Sequence, residues 1–166
     1  KLLLNNPLFH CKGKGLTGVA NATSTDLLSG LKEVVTCGVY SDKALLYESN
    51  SRLYDGTNTE IKNNSLTPSF KTFTWGGFTI SNMNIIQKDL LTTTNDTINI
   101  EYDDYGNELS VISKYNGDGR TTLTSIYSSD GSWCPSKLTS LTRTSKKKGS
   151  TGEFTEVFKY GFNTLG

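Results

Sequence analysis

Between residues 97 and 131 the chain alternates apolar and polar side chains. Ile98, Ile100 and Tyr102 stand against Thr97, Asn99 and Glu101, then Leu109, Val111 and Tyr115 against Glu108, Ser110 and Lys114. Successive side chains of a strand point to opposite faces, so a period of two predicts strands with one apolar and one wetted face. The pattern Tyr-x-x-x-Gly punctuates this stretch three times, as Tyr102 with Gly106, Tyr115 with Gly119 and Tyr127 with Gly131. The tyrosines lie 13 and then 12 residues apart, the length of about eight strand residues and a four-residue turn. Asp-Tyr-Gly-Asn, Asn-Gly-Asp-Gly and Ser-Ser-Asp-Gly occupy the turns, where glycine and asparagine supply the positive φ that hairpins require. A tyrosine-glycine β-meander over 97–131 follows.

The flanking segments read less regularly. Residues 1–20 open on Leu2-Leu3-Leu4, stop at Asn5-Asn6-Pro7 and continue rich in glycine, as an N-terminal arm or edge strand does. Thr23 or Ser24 as cap, Asp26 in a first turn, and Leu27, Leu28, Leu31, Val34 and Val35 at helical spacing predict one short helix over 24–33, followed by a strand over 34–40. Short strands are expected at 44–48 and 52–54, and a long exposed loop over the polar residues 57–69. Residues 70–80 hold Phe73 and Trp75 on one parity and Phe78 and Ile80 on the other. A β-bulge at Gly76-Gly77 would bring all four to one face. Beyond the meander the pattern predicts a strand at 138–141, a hairpin loop at 146–149 and a last strand at 154–160. The expected fold is therefore mainly β, one domain over 1–166. It is an antiparallel sandwich or barrel with a meander and one short N-terminal helix, cored by Phe73, Trp75, Phe78, Ile98, Ile100, Leu109, Val111, Leu123, Phe154 and Phe158.

Composition narrows the class of function. Net charge is +1 and 20% of residues are charged, so no overall field draws nucleic acid or an anionic membrane. Serine and threonine together number 41, a balance shared with viral, fibre and secreted β proteins. No stretch reaches the ~20 apolar residues of a membrane helix, and Leu2–Leu4 is too short for a signal-peptide core. A chain that begins at Lys1 is expected to be a processed product or a fragment. Asn21, Asn63 and Asn95 each open an N-x-Ser/Thr sequon in a turn-like neighbourhood and are candidate glycosylation sites. Cys11, Cys37 and Cys134 lack C-x-x-C spacing, which leaves one disulfide and a spare thiol, or three buried thiols. Cys11 and Cys37 flank the expected helix and are the pair favoured for a bridge.

Catalytic chemistry finds little to work with. The single imidazole, His10, sits between Phe9 and Cys11, and no nucleotide loop, nucleophile elbow or zinc-protease motif is present. No catalytic residue, cofactor or metal is expected. Asp103, Asp104, Glu108 and Asp118 lack the register of a calcium loop and read as solvated turns. Arg143, Lys146, Lys147 and Lys148 form the one basic cluster. Without aromatic platforms among them, they read as a lysine-protected hairpin tip before a nucleic-acid site. Tyr102, Tyr115 and Tyr127 stand beside that cluster as weak candidates for a binding surface.

Tyr102-Asp103-Asp104-Tyr105-Gly106-Asn107 matches the Tyr-Asp-x-x-Gly-Asn/Arg pattern, so this stretch resembles the tyrosine-aspartate repeats of large bacterial surface and toxin shells. Tyr115-Asn116-Gly117-Asp118-Gly119-Arg120 departs by one residue, and Tyr127-Ser128-Ser129-Asp130-Gly131-Ser132 by two. The resemblance spans about a fifth of the chain and brings no site residue with it. By elimination, the expected function is a non-enzymatic, self-assembling structural subunit of a virus particle, fibre or extracellular surface, with copies of itself as partners. The alternative is a secreted binding or toxin module recognising a glycan or protein surface.

Overall fold

A computed structural model describes residues 1–9, 16–40, 45–115, 118–128 and 137–161. Eleven strands form one antiparallel sheet in chain order: β1 Leu2–Phe9, β2 Leu16–Thr25, β3 Lys32–Tyr40, β4 Leu45–Tyr54, β5 Glu60–Thr72, β6 Phe78–Asp89, β7 Thr94–Tyr102, β8 Glu108–Tyr115, β9 Gly119–Ser128, β10 Lys137–Lys146 and β11 Phe154–Lys159. Each strand neighbours the next in sequence. Among the described strands the sheet is not closed: β1 and β11 stand at its ends. Two compact units divide the chain, Lys1–Leu66 with Ile86–Thr94, and Thr67–Ile85 with Asn95–Gly166.

In the first unit the ladder runs from β1, where Pro7 sits on an edge strand as a residue without an N–H must, through β2, β3 and β4 into β5. The expected helix over 24–33 is absent. Residues 16–25 and 32–40 are strands, and only the turn between them is tight. Asp26, expected in a first helical turn, caps a hairpin loop. Its carboxylate accepts from the Leu28 N–H and the Ser29 hydroxyl, its carbonyl accepts from Gly30 N–H, and its own N–H donates to Leu31. One helical turn thus forms and stops at Gly30, φ 72°. The apolar spacing that suggested a helix falls apart accordingly: Val34 and Val35 go to opposite faces of β3, and Leu28 is fully exposed at the tip. The polar stretch 57–69 is no loop either, since it becomes β5 beyond a short turn at Asp55–Thr59.

In the second unit the meander stands as the alternation required. Ile100 pairs with Val111 and Val111 with Leu123, while Asn99, Ile112 and Thr122 align on the other face. The hairpins at Phe73–Gly77 and Asp103–Asn107 share one geometry: the first N–H donates to the fifth carbonyl, and the fourth N–H to the first carbonyl. Gly76 and Gly106 take the fourth position at φ 88° and 85°, the left-handed conformation that closes a three-residue hairpin loop. The expected bulge at Gly76-Gly77 is this turn.

Among the described residues no hydrophobic side chain is buried, and the single buried polar one is Ser51, bonded to Glu33. The expected core is therefore not assembled. Phe154, Phe158 and Leu109 are exposed, and Trp75 is 78% exposed. An apolar sheet face is buried only where another layer packs on it.

Candidate functional site

Two surfaces of the second unit gather chemistry. The first lies where β8, β9 and β10 meet in register. Lys114 pairs with Arg120 and Arg120 with Lys146, and directly opposed residues of an antiparallel ladder project to the same face about 5 Å apart. Three cations therefore stand in a row. Arg120 Nη2 pairs with Glu153 at 3.0 Å. Both carboxylate oxygens of Asp118 accept from the Gly149 N–H, at 3.1 and 3.0 Å, and this ties the β10–β11 hairpin beside β9. Gly119 is buried beneath the hairpin, and a methyl there would meet the Lys148 backbone nitrogen at 3.5 Å. The result is a cleft of about 290 Å³ lined by Lys114, Asp118, Gly119, Arg120, Lys146 and Glu153.

The second surface is at the β5–β6 and β7–β8 turns. Phe73 and Trp75 stack with ring centroids 5.3 Å apart and 5° between planes. The indole lies over Gly77, where any Cβ would collide with it. Lys71 Nζ sits 5.7 Å from the Phe73 ring and pairs with Asp104 at 2.5 Å. Tyr105 is exposed in the Asp103–Asn107 turn.

The basic cluster read from the sequence is split by the pleat. Arg143 lies on the opposite face from Lys146 and pairs with Glu156 at 3.8 Å. Lys147 and Lys148 are exposed at the hairpin tip. Lys114 and Arg120, distant in sequence from that cluster, join Lys146 instead. Only register could reveal this, although Lys114 and Arg120 do flank one predicted turn symmetrically.

The candidate tyrosines end their strands. Tyr102 is half-buried, and burial and then the negative charge of Glu108 raise its hydroxyl above the usual value of 10.0. Tyr115 is exposed and Tyr127 half-buried. Trp75, expected in the core, and Tyr105 are more exposed than these, because alternation marks apolar faces and says nothing of turn tips. The acidic residues are engaged locally. Burial works to raise the Asp103 carboxyl, but bonds from the Asn107 side chain and from the Asn107, Tyr105 and Gly106 N–H groups hold it below 3.8. Among the described residues no three His, Cys, Asp or Glu side chains gather as metal ligands would.

Asn21 and Asn63 are half-buried within β2 and β5, and Asn95 is exposed on β7, so the sequons lie on strands and not in turns. Cys37, on β3, is half-buried with a free thiol; Cys11, its expected partner, together with Cys134 and His10, lies outside the described residues. No described helix is long and apolar enough to cross a membrane. Comparison with protein-family models, with curated proteins and with solved structures finds no match.

Proposed function

We propose that this protein is a non-enzymatic, self-assembling structural subunit of an extracellular surface, fibre or virus particle. One observation carries the reading: a sheet of eleven strands buries no described hydrophobic side chain, although Ile98, Ile100, Val111, Leu123 and Leu141 align on one face. Covering such a face stabilises by about 25 cal/mol per Å² of apolar surface removed from water. A second copy offers the same face, and a net charge of +1 lets copies approach without strong repulsion. Two chains packed in this way stack two such faces as the layers of a sandwich. The edges at β1 and β11 leave N–H and C=O groups for strand addition. If the protein is extracellular, Asn95, the exposed one of the three sequon asparagines, is more open to modification than Asn63, whose amide donates to Glu60 and accepts from Asn50.

The test is light scattering after size exclusion, with negative-stain microscopy, on the full chain, an Ile100→Asp variant and a variant lacking residues 1–9. Wild type is expected to associate with rising concentration, and Ile100→Asp to remain monomeric while keeping its β spectrum. A wild type monomeric at high concentration sinks the proposal.

A second reading, a secreted binding or toxin module for a glycan or protein surface, is favoured by the exposed Phe73–Trp75 stack beside the Lys71–Asp104 pair. Aromatic faces of this kind pack on the apolar faces of sugars while neighbouring polar groups take the hydroxyls. Retention on a glycan panel, abolished by Trp75→Ala in a monomeric protein, would establish it.

A further inference from the structure

We propose that the row Lys114, Arg120 and Lys146 is a binding site for an anionic polysaccharide, a sugar chain bearing sulfate or carboxylate groups. The proposal stands apart from the assembly reading, because it concerns the face opposite to the Ile98–Ile100–Val111 stripe.

Charge is the first ground. Of the two carboxylates lining the cleft, Asp118 is occupied by the Gly149 N–H and Glu153 by Arg120. No ion pair joins Lys114 or Lys146 to a carboxylate among the described residues. The cleft therefore holds three cations against two carboxylates, and neither ammonium group has a carboxylate partner of its own, in a chain whose net charge is only +1. Placing like charges directly opposite one another costs stability, and an anion bridging them relieves it.

The neighbouring rows argue for the kind of anion. On the same face Ile112 aligns with Thr122, Thr144 and Thr155, and Ser110 with Thr124, Thr142 and Val157. These rows offer hydroxyl donors and acceptors, as a sugar's own hydroxyls require. No aromatic ring stands in them. Single-stranded nucleic acid is held by stacking its bases on aromatic rings beside the cations, so the surface lacks the platforms that bases need. The Asp118–Gly149 tether holds the cleft wall in place, leaving less ordering to be done on binding.

The experiment uses the full chain with heparin as the sulfated probe, polygalacturonate as the carboxylated one, dextran as the neutral control and duplex DNA as competitor. One or both polyanions are expected to bind, with affinity falling at least about tenfold between 50 and 200 mM salt, and dextran is expected not to bind. The stronger polyanion assigns sulfate or carboxylate. A Lys114→Gln/Lys146→Gln variant should lose about tenfold in affinity. Arg143→Gln, on the opposite face, should stay within about twofold; both variants should keep the wild-type circular dichroism, and the double variant the wild-type light-scattering mass. Undiminished binding by the double variant, binding to neither polyanion at low salt, or DNA that displaces heparin while heparin fails to displace DNA would each overturn the proposal. A monomeric wild type that still binds heparin through these lysines removes the assembly reading and leaves this one standing.

Discussion

The two units build the same ladder with different side chains. In the first, one face of β4 and β5 is held by amides: Asn50 donates to Asn63 at 2.8 Å and to the Asn64 carbonyl at 2.9 Å, Arg52 donates to Asn50, and Asn63 donates to Glu60. In the second, the corresponding work falls to an aliphatic row, Ile100, Val111 and Leu123, beside aromatic turns. The units also differ where the chain reverses. The second closes its described left-handed turn positions with Gly76, Gly106 and Gly149, whereas the first uses Asn58 at φ 69° and Thr93 at φ 54° beside Gly30. Thr93 is β-branched, and that conformation is unfavourable for it. A strand ladder is thus indifferent to the polarity of its side chains so long as cross-strand partners match. What each unit can do beyond folding depends on which side chains those are.

The largest effect should come from charging the aliphatic row. Ile100→Asp is expected to cost about 3 kcal/mol in denaturant unfolding at concentrations where copies associate, and much less in dilute solution. The same change at Asn50 should show no such concentration dependence. Equal losses at both concentrations would mean that the two units do not differ in how they are covered.

Next are the turns. Gly106→Thr is expected to lose about 1–2 kcal/mol, and Thr93→Gly to gain about 0.5–1 kcal/mol, read as opposite shifts in thermal midpoint. If Thr93→Gly destabilises, the Thr92 and Thr94 hydroxyls, 3.1 Å apart, contribute more to that turn than its backbone costs.

The amide network should give about 1 kcal/mol for Asn50→Ala, with hydrogen exchange quickening in β4 and β5 and not in β8 or β9. Uniform quickening would show that the units unfold together.

The smallest effect is acid sensitivity. The Asp26 carboxyl is held below 3.8 first by the Ser29 hydroxyl, that of Asp55 by the Thr57 hydroxyl and that of Asp89 by the Thr92 N–H. Depressed carboxyl values mean stability that is present above about pH 4 and is lost as pH falls through 3.8 toward the folded value. Three such groups lie in the first unit and one, Asp103, in the second. Asn at 26, 55 and 89, which keeps the accepting oxygen, should flatten the acid limb of a circular dichroism titration. Asp103→Asn alone should leave most of it, and an unchanged limb in the triple variant would refute the assignment.

Alternation at Ile98–Tyr102 and Leu109–Tyr115, and glycine in the turns, determined the meander from sequence alone, because both signals are local: a period of two and a positive φ need no distant residue. The same local reasoning misleads at 24–33, where Asp26 makes the bonds of a cap in a helix and in a hairpin loop alike, and at 57–69, where a polar strand reads as a loop. Only the tertiary register decided that Lys114, Arg120 and Lys146 stand together and that Arg143 does not, since one step along a strand reverses a side chain's face. It also decided that Trp75 lies in the open and not in a core. An indole's affinity for apolar surroundings is written in the sequence, but whether a second layer exists to receive it depends on what packs against the sheet.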